Sequence, residues 1–482
     1  MNVETLAREA AHEQVMREPD VFDSADSPAD PFALAQLREG LSDDDLAAPP
    51  VVLPDFHLKN DKEMPSSIAV ATRDTIRPTL TSASLNCGMA LVALDAGRPG
   101  ESAIRNFYDR VRTLYPYPPT YRRDLTPEEV VRCAADGAHF AVERFELDPA
   151  ELDRVEEGGR LDVDAFGGVE RVRRELPWSV LQLSRIRFGT IGPSNHFIEL
   201  QEVEEVLDPE AADLLGLERG QVTLQYHGGG GSLPGELGLL FGRRKRYPRA
   251  VRVQMAVQKP LYHFGRARSI EQLKLRKALY FSGRCPPVER SGPEGERLIL
   301  ANTMAMNYGF AFRLSTYASL RSIARDSFGS AGSRLIVDSA HNSIYQERVN
   351  GQTALVHRHN ACRVYPASPA LGHSVAGKIG QPLLLPGTNR TCSYVCVPGD
   401  EAHRSLYSAC HGAGANIKHF VEAGLSGRDP HARTTLRFDY SGSGPKEVPH
   451  LDDRGIDDVV EVLGRHGIAR PVVRLRPFAV LN

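Results

Sequence analysis

One cysteine and four histidines of this chain stand in short strings dense in glycine or amide side chains. They are Cys87 in SLNCGM, His196 in SNHFIE, His227 in QYHGGGG, His341 in SAHNS and His411 in CHGAGA. Thiolate and imidazole suit Mn, Fe, Co, Ni or Zn, and a neutral imidazole nitrogen is also a nucleophile that can attack phosphorus. Glycine lacks a Cβ, so neighbouring amides can lie against a phosphate. The strings are far apart along the chain, and a joint role requires a fold that gathers them. Taken singly, each has a plainer reading. A lone cysteine is a small buried hydrophobe. His196, followed by Phe197 and Ile198, reads as a hydrogen-bonded core histidine, and the glycines after His227 read equally as an anion nest or a surface hairpin. His341 and Asn342 follow LIVDSA, a strand end of the kind from which functional side chains project.

The elements that must position these residues are visible as changes of period. VVLPDF, SSIAVAT and MALVAL are short β-type runs bounded by Pro, Asn and Gly. Residues 102–114 and 126–143 predict helices, the second opened by a T-P-E-E cap, and residues 268–282, 298–324 and 457–466 predict three more. NHFIELQEVEEV alternates like a half-buried strand, and residues 222–226, 334–339, 353–357 and 381–385 are strand-like. Strands and helices interleave without a strict βαβ repeat or internal self-similarity. The expected fold is α+β, a single large body with central packed β-sheets flanked by helices. Neither GxGxxG nor GxxxxGK[ST] occurs, which excludes the two commonest nucleotide loops.

With 482 residues, 41% hydrophobic and 25% charged, the chain can bury a sizeable core. Its net charge of -3 does not announce a nucleic-acid binder, but the charges are segregated. Residues 1–50 form an acidic extension with one amphipathic helix at 3–17 and then a flexible or loosely docked segment; residues 51–482 form the body. GRRKRYPR from 242, with RAR and KLRK inside 266–277, is basic and suits RNA phosphates, although both charge runs also read as solvated faces. No apolar leader and no run of about 20 apolar residues is present, so no secretory signal and no membrane partner is expected. Seven cysteines without a CxxC pair read as reduced thiols in a cytoplasmic protein.

Taken together, the strings resemble the RtcB family of RNA-splicing ligases. The resemblance runs from about residue 54 to 482. It is carried by PDFH at 54–57, NCGM at 86–89, NHFIE at 195–199, AMNYGFAFR at 305–313, AHN at 340–342, VHRHNACR at 356–363, PGTNRTCSY at 386–394 and HGAG at 411–414. It implies a GTP- and Mn²⁺-dependent enzyme that joins RNA 3′-phosphate or 2′,3′-cyclic phosphate ends to 5′-hydroxyl ends, with an archease-like activator as a candidate partner. The family's metal ligands map onto Cys87, His196, His227 and His341, and its guanylylated nucleophile onto His411. Its guanylate pocket maps onto Asn195, His196, Phe197, Ile198, Glu199, His341, Asn342, Pro386, Gly387, Thr388, Asn389, Ser393, His411, Gly412, Ala413 and Gly414.

Four positions depart from the family pattern. Ser84 stands where the family has a metal-binding aspartate, which puts the second of two Mn²⁺ ions in question. The family's H-S-G-S-R-G is His227 followed by four glycines and Ser232, and the arginine usual after HGAG is Ala415. The near-terminal lysine that contacts guanine falls at Asn482. Two other readings therefore stay open. One is an enzyme of this fold repurposed to transfer nucleotide to a non-RNA phosphate or carboxylate, with GTP or ATP. The other is a catalytically silent RNA-binding paralogue.

Overall fold

The computed structural model describes residues 18–41, 45–59, 64–80, 84–117, 122–192, 195–242, 246–282, 286–329, 332–368 and 374–482. The helix expected at 3–17 lies outside these residues, as do Arg243, Arg244 and Lys245 of the basic stretch.

Val51–His57 (β1), Ser66–Thr72 (β2) and Gly88–Leu94 (β3) form where the apolar runs predict strands, and β2 and β3 are buried throughout. Glu101–Leu114 (α1) follows. The single helix expected over 126–143 is two: Pro127–Asp136 (α2), opened by a reciprocal Thr126–Glu129 capping box, and Ala138–Phe145 (α3). Gly137 between them has φ 59° and ψ -137°, and a Cβ there would stand 2.1 Å from the Gly159 carbonyl oxygen. Only glycine lets the chain turn at that point.

Gly168–Glu175 (α4), Phe197–Val206 (β4), Val222–Gly228 (β5), Ser232–Phe241 (α5), Arg249–Phe264 (α6) and Ile270–Phe281 (α7) lead to Pro293–Phe328 (α8). At 36 residues α8 outruns the 298–324 expected, because Pro293 starts it five residues early and left-handed Gly329 ends it. Then come Ser333–Ala340 (β6), Asn342–Val349 (β7), Gln352–His359 (β8), Ala361–Arg363 (β9), Leu383–Leu385 (β10), Ser393–Pro398 (β11), Ser408–Cys410 (β12), Gly414–Glu422 (α9), Arg454–Arg465 (α10) and Ala469–Leu481 (β13).

The strands make two main sheets. The larger runs β10-β11-β13-β4-β5-β3-β6, antiparallel at each step, and the smaller runs β1-β2-β8-β7. Ahead of β1, Asp20–Val21 adds a parallel strand to the smaller sheet, and the Asp30-capped helix Pro31–Gly40 buries Ala33 and Leu37. The molecule is an α+β body with helices packed around these sheets, and α8 threads its centre against α1, α2, α3 and α5.

A helix buried on every side must satisfy its polar side chains internally. Asn307 Nδ2 donates to the carbonyls of Ala134 (3.1 Å) and Leu161 (2.9 Å), and the Tyr308 hydroxyl donates to the Ser184 carbonyl at 2.6 Å. Arg313 forms a two-point ion pair with Asp338 of β6 (Nη2–Oδ1 2.5 Å, Nε–Oδ2 2.8 Å), and its Nη1 donates to Asn86 Oδ1 at 2.7 Å. This guanidinium therefore ties α8 to the large sheet and to the residue before Cys87. No helix among the described residues is long and apolar enough to cross a membrane.

Candidate metal centre and nucleophile

Antiparallel pairing is what gathers the distant strings. Along β4-β5-β3-β6 the strands alternate in direction, so the end where β3 and β4 begin is the end where β5 and β6 finish. Cys87 directly precedes β3 and His196 directly precedes β4, while His227 is the penultimate residue of β5 and His341 directly follows β6. The register puts Gly88 opposite both Gly228 and Ala340, and His227 opposite Phe197 and Met89. The His341 N–H donates to the Cys87 carbonyl at 2.9 Å. Glycine is required at 88 because a Cβ would stand 2.4 Å from the Ser339 carbonyl oxygen, which would push β6 away.

The side chains converge as closely as the backbones. Cys87 Sγ lies 3.4 Å from His227 Nε2 and 3.7 Å from His196 Nε2, and one ligand atom each from Cys87, His227 and His341 fall within 4.8 Å of one another. The His196 and His227 rings are 5.0 Å apart, as are those of His227 and His341. Ligand atoms about 2.0–2.3 Å from one ion lie at most about 4.6 Å apart, so the 3.4 and 3.7 Å separations of Cys87 Sγ from the two imidazole nitrogens fit a shared divalent cation. Protonation points the same way. Burial, with neighbouring imidazoles adding to it, holds His227 and His341 well below the ordinary histidine range, and burial alone lowers His196. Neutral rings keep a lone pair for a metal. His227 Nδ1 is 2.9 Å from the Asn195 carbonyl; an Nδ1–H donated there leaves Nε2 as the lone-pair nitrogen facing Cys87. Nδ1 of His341 is buried with no hydrogen-bond partner among the described residues, as is Nδ1 of His411.

His411 reaches this cluster from another layer. β12 pairs with β9, and the His411 N–H donates to the Asn360 carbonyl at 3.3 Å. Asn360 in turn donates its N–H to Asn342 Oδ1 at 2.9 Å, and the Ala361 N–H donates to the His341 carbonyl at 2.9 Å. The His341 and His411 rings end 4.6 Å apart. Burial, with smaller contributions from Lys59 and His57, pushes His411 down to about 3, so its ring is neutral at physiological pH. Beyond His411, α9 begins at Gly414, and the N–H groups of Ala415 and Asn416 donate to Asp55 Oδ1 at 2.6 and 3.0 Å.

The remaining strings line up beside the two histidines. The Ala413 N–H donates to the Pro386 carbonyl at 3.1 Å, which sets the loop holding Gly387, Thr388 and Asn389 against Gly412 and Ala413. The Gly387 N–H donates to Ser393 Oγ at 3.2 Å, and Gln201 Nε2 contacts both Ser393 Oγ (3.3 Å) and Glu199 Oε1 (2.7 Å). Burial pushes the Glu199 carboxyl up to about 8, against the opposing Gln201 hydrogen bond. Leu481 is opposite Ile198, so Asn482 ends beside the start of β4, but its amide oxygen accepts from Arg437 Nε at 2.8 Å. The Ser84 carbonyl accepts from the Cys87 N–H at 3.1 Å and from Asn342 Nδ2 at 3.3 Å.

Asp55, Asn360 and Arg313 hold the site together and carry no role in the sequence reading. They stand inside PDFH, VHRHNACR and AMNYGFAFR, but the partners that give them a role are elsewhere in the chain.

A family model described as tRNA-splicing ligase RtcB matches residues 42–482. The RNA-splicing ligase RtcB of Mycobacterium tuberculosis is 29% identical over 360 residues, 72% of this chain and 74% of that one. The tRNA-splicing ligase RtcB of Thermococcus kodakarensis is 26% identical over 459 residues, 89% of this chain and 86% of that one. That of Pyrococcus abyssi is 27% identical over 368 residues, 72% of this chain but 36% of that longer protein.

Proposed function

The chain belongs to the RtcB family, and from that premise we propose that it is a GTP- and Mn²⁺-dependent RNA ligase acting in RNA repair or splicing. It joins RNA 3′-phosphate or 2′,3′-cyclic phosphate ends to 5′-hydroxyl ends, with His411 as covalent nucleophile. The observation that carries this reading is the 4.6 Å approach of the His411 ring to His341, a member of the metal cluster. A nucleophile for phosphorus is useful only where phosphate charge is offset, and here the two adjoin.

Cys87, His227 and His341, with His196 beside them, would hold the metal, which would supply positive charge to offset phosphate and polarise the attacked phosphorus. His411 is neutral, so its ring nitrogen attacks the α-phosphorus of GTP; the P–N bond forms as the P–O bond to pyrophosphate breaks. A 2′,3′-cyclic end is first opened by water to the 3′-phosphate and a free 2′-hydroxyl; an oxygen of the RNA 3′-phosphate then displaces the imidazole, and the RNA 5′-hydroxyl attacks the guanylylated end, losing its proton and releasing GMP. The turn from Gly412 to Gly414 and the 386–389 loop, tied together by the Ala413 bond to the Pro386 carbonyl, form the wall against which the nucleotide is oriented, and fixed in-line geometry supplies much of the rate. Glu199, whose carboxyl burial raises to about 8, accepts from Gln201 Nε2, which also reaches Ser393 beside the 386–389 loop.

The test is an adduct. The protein is incubated with Mn²⁺ and α-labelled GTP or ATP, and an acid-labile label is sought that disappears in His411→Ala. Label on the protein followed by joining of an RNA 3′-phosphate to a 5′-hydroxyl supports the whole reading. No label with either nucleotide defeats it, and label without joining restricts the reading to nucleotidyl transfer onto another acceptor.

A further inference from the structure

A second site of anionic character lies away from the metal cluster. A cavity of about 480 Å³ opens where the C-terminal end of α4, the α6–α7 turn and the N-terminal end of α8 meet. Arg171 and Arg174 enter it from α4, Arg266 and Arg268 from the turn, Arg276 from α7 and Arg297 from α8. These six guanidinium groups meet three carboxylates, and two of the three are already shared. Glu175 serves Arg297 (3.2 Å), Arg171 (3.2 Å) and Arg266 (3.6 Å), while Glu294 beneath serves Arg276 (2.6 Å) and Arg297 (3.3 Å). Arg174 and Arg268 are exposed at the rim and make no ion pair among the described residues.

Two further observations favour an anionic ligand here. Arg297 is 3% exposed and its guanidinium lies 4.3 Å over the Tyr262 ring, yet its Nη2 has no hydrogen-bond partner among the described residues. A buried guanidinium N–H left unmatched is costly unless something fills the place. The 36-residue α8 also begins here, with Pro293 and Glu296 on the cavity wall and no side chain capping its Gly292 end, so its first amides face the cavity region while Glu294 and Glu296 offset part of the dipole. Planar guanidinium groups converging from several elements match phosphate oxygens.

We propose that this arginine cavity is a remote phosphate site that grips the backbone of a bound RNA strand away from the ends being joined. The assignment of the anion as RNA rests on the ligase reading above. The separation follows from α8 itself. Arg313, bonded to Asn86 beside Cys87, is sixteen residues along the helix from Arg297, which at 1.5 Å per residue is about 24 Å. A strand stacked at about 3.4 Å per nucleotide needs about seven nucleotides to cover that span. The cavity therefore favours strands long enough to touch both places. It also absorbs the RAR and KLRK stretches, of which Arg266, Arg268 and Arg276 line it.

The test uses the full chain and the rim double variant Arg174→Ala/Arg268→Ala, neither residue being part of the metal or nucleophile machinery. Binding of a fluorescent RNA of roughly 12 nucleotides with a 3′-phosphate is followed by anisotropy across KCl concentrations, with a dinucleotide 3′-phosphate in parallel. The variant should bind the long strand roughly tenfold more weakly at low salt, with the slope of log K against log salt flattened by about 1. Dinucleotide binding and labelling of His411 by GTP should be unchanged. Glu296→Gln, which removes a wall carboxylate, should tighten the long strand, an effect that a merely structural role does not produce. An unchanged slope in the double variant, with wild-type RNA binding intact, overturns the cavity assignment alone. Displacement of the long strand by pyrophosphate in wild type but equally in the variant overturns it too. No RNA binding by the wild-type chain defeats the assignment and the ligase reading together.

Discussion

Cys87 Sγ lies 3.4 Å from His227 Nε2, although 140 residues separate them. Their meeting depends on β3 and β5 pairing in a register that puts Gly88 opposite Gly228. On the proposed metal reading, Cys87→Ala removes the sulfur ligand and leaves the register intact, so the protein should stay folded and bind much less manganese. Elemental analysis of the purified chain, with circular dichroism as the folding control, reads both quantities. A full metal complement in Cys87→Ala would falsify the ligand role.

Ser84 bears on the number of metals. Its backbone is fixed by the Cys87 N–H and by Asn342 Nδ2, so a longer side chain at this position is anchored beside the cluster. Ser84→Asp restores an anionic oxygen, and ligand charge is the main control on affinity for hard divalent ions. Manganese affinity should rise about tenfold and the bound count should move from one towards two. Calorimetric titration gives both, and identical isotherms would show that Ser84 is not what limits the second ion.

The separate parts of the site differ in how far the sequence reveals them. Cys87 and the four histidines stand out because each is a reactive side chain inside a distinctive local string. The convergence of Cys87, His196, His227 and His341 also has a local cause, since each sits at the end of a strand that sequence pattern marks, whereas the three-residue strand before His411 carries no such mark. Asp55, Asn360 and Arg313 are different. Asp55 caps a helix 360 residues away, and Arg313 bonds Asn86 across 227 residues, so no window of sequence holds both halves of either contact. The break at Gly137 is hidden for the same reason. The pattern over 126–143 is helical, and the close approach of Gly159 is what turns the chain there.

The Arg313–Asp338 pair shows what such a contact is worth. Both groups are buried, so removing one strands the other charge, at a cost of about 3–5 kcal/mol. Asp338→Asn should lower the urea midpoint accordingly. It should also loosen manganese, because the same guanidinium fixes Asn86 beside Cys87. Arg313→Lys should not rescue either property, since an ammonium cannot make the two-point pair and the Asn86 contact together. A lysine variant with wild-type midpoint and metal content would remove this argument.

His357 gives a pH dependence at a distance from the metal ligands. Its Nε2 accepts from the Arg77 N–H at 3.0 Å and its Nδ1 lies 3.2 Å from the Leu355 carbonyl, a pattern only the neutral ring satisfies. Burial first, and Arg77 after it, lower it to about 4, against 6.5 for the free side chain. Below 6.5 the unfolded chain therefore takes up a proton that the folded chain refuses. The stability this group confers is present above pH 6.5 and is lost as pH falls from 6.5 towards 4, by up to about 3 kcal/mol. His357→Gln cannot protonate there and keeps an acceptor for Arg77. Urea midpoints measured between pH 7 and 4 should fall less steeply in the variant; parallel curves would exclude His357 as a source of acid lability.

The placement of His411 rests on a cap supplied from the other end of the chain. Asp55 Oδ1 takes the N–H groups of Ala415 and Asn416, the first free donors of α9, directly after the HGAG turn. An N-terminal cap of this kind is worth about 0.5–2 kcal/mol, and a carboxylate there also complements the helix dipole. Asp55→Ala should therefore lower stability by about 1 kcal/mol. Its larger effect should fall on nucleotide labelling, because the turn that carries His411 loses its anchor on the C-terminal side, while the His411 bond to the Asn360 carbonyl and the Ala413 bond to the Pro386 carbonyl remain. Asp55→Asn retains an oxygen that accepts both bonds, so it should recover most of the stability and most of the labelling. If Asp55 acted through its charge instead of its geometry, asparagine would restore neither, and the rate of labelling in the two variants decides between these roles.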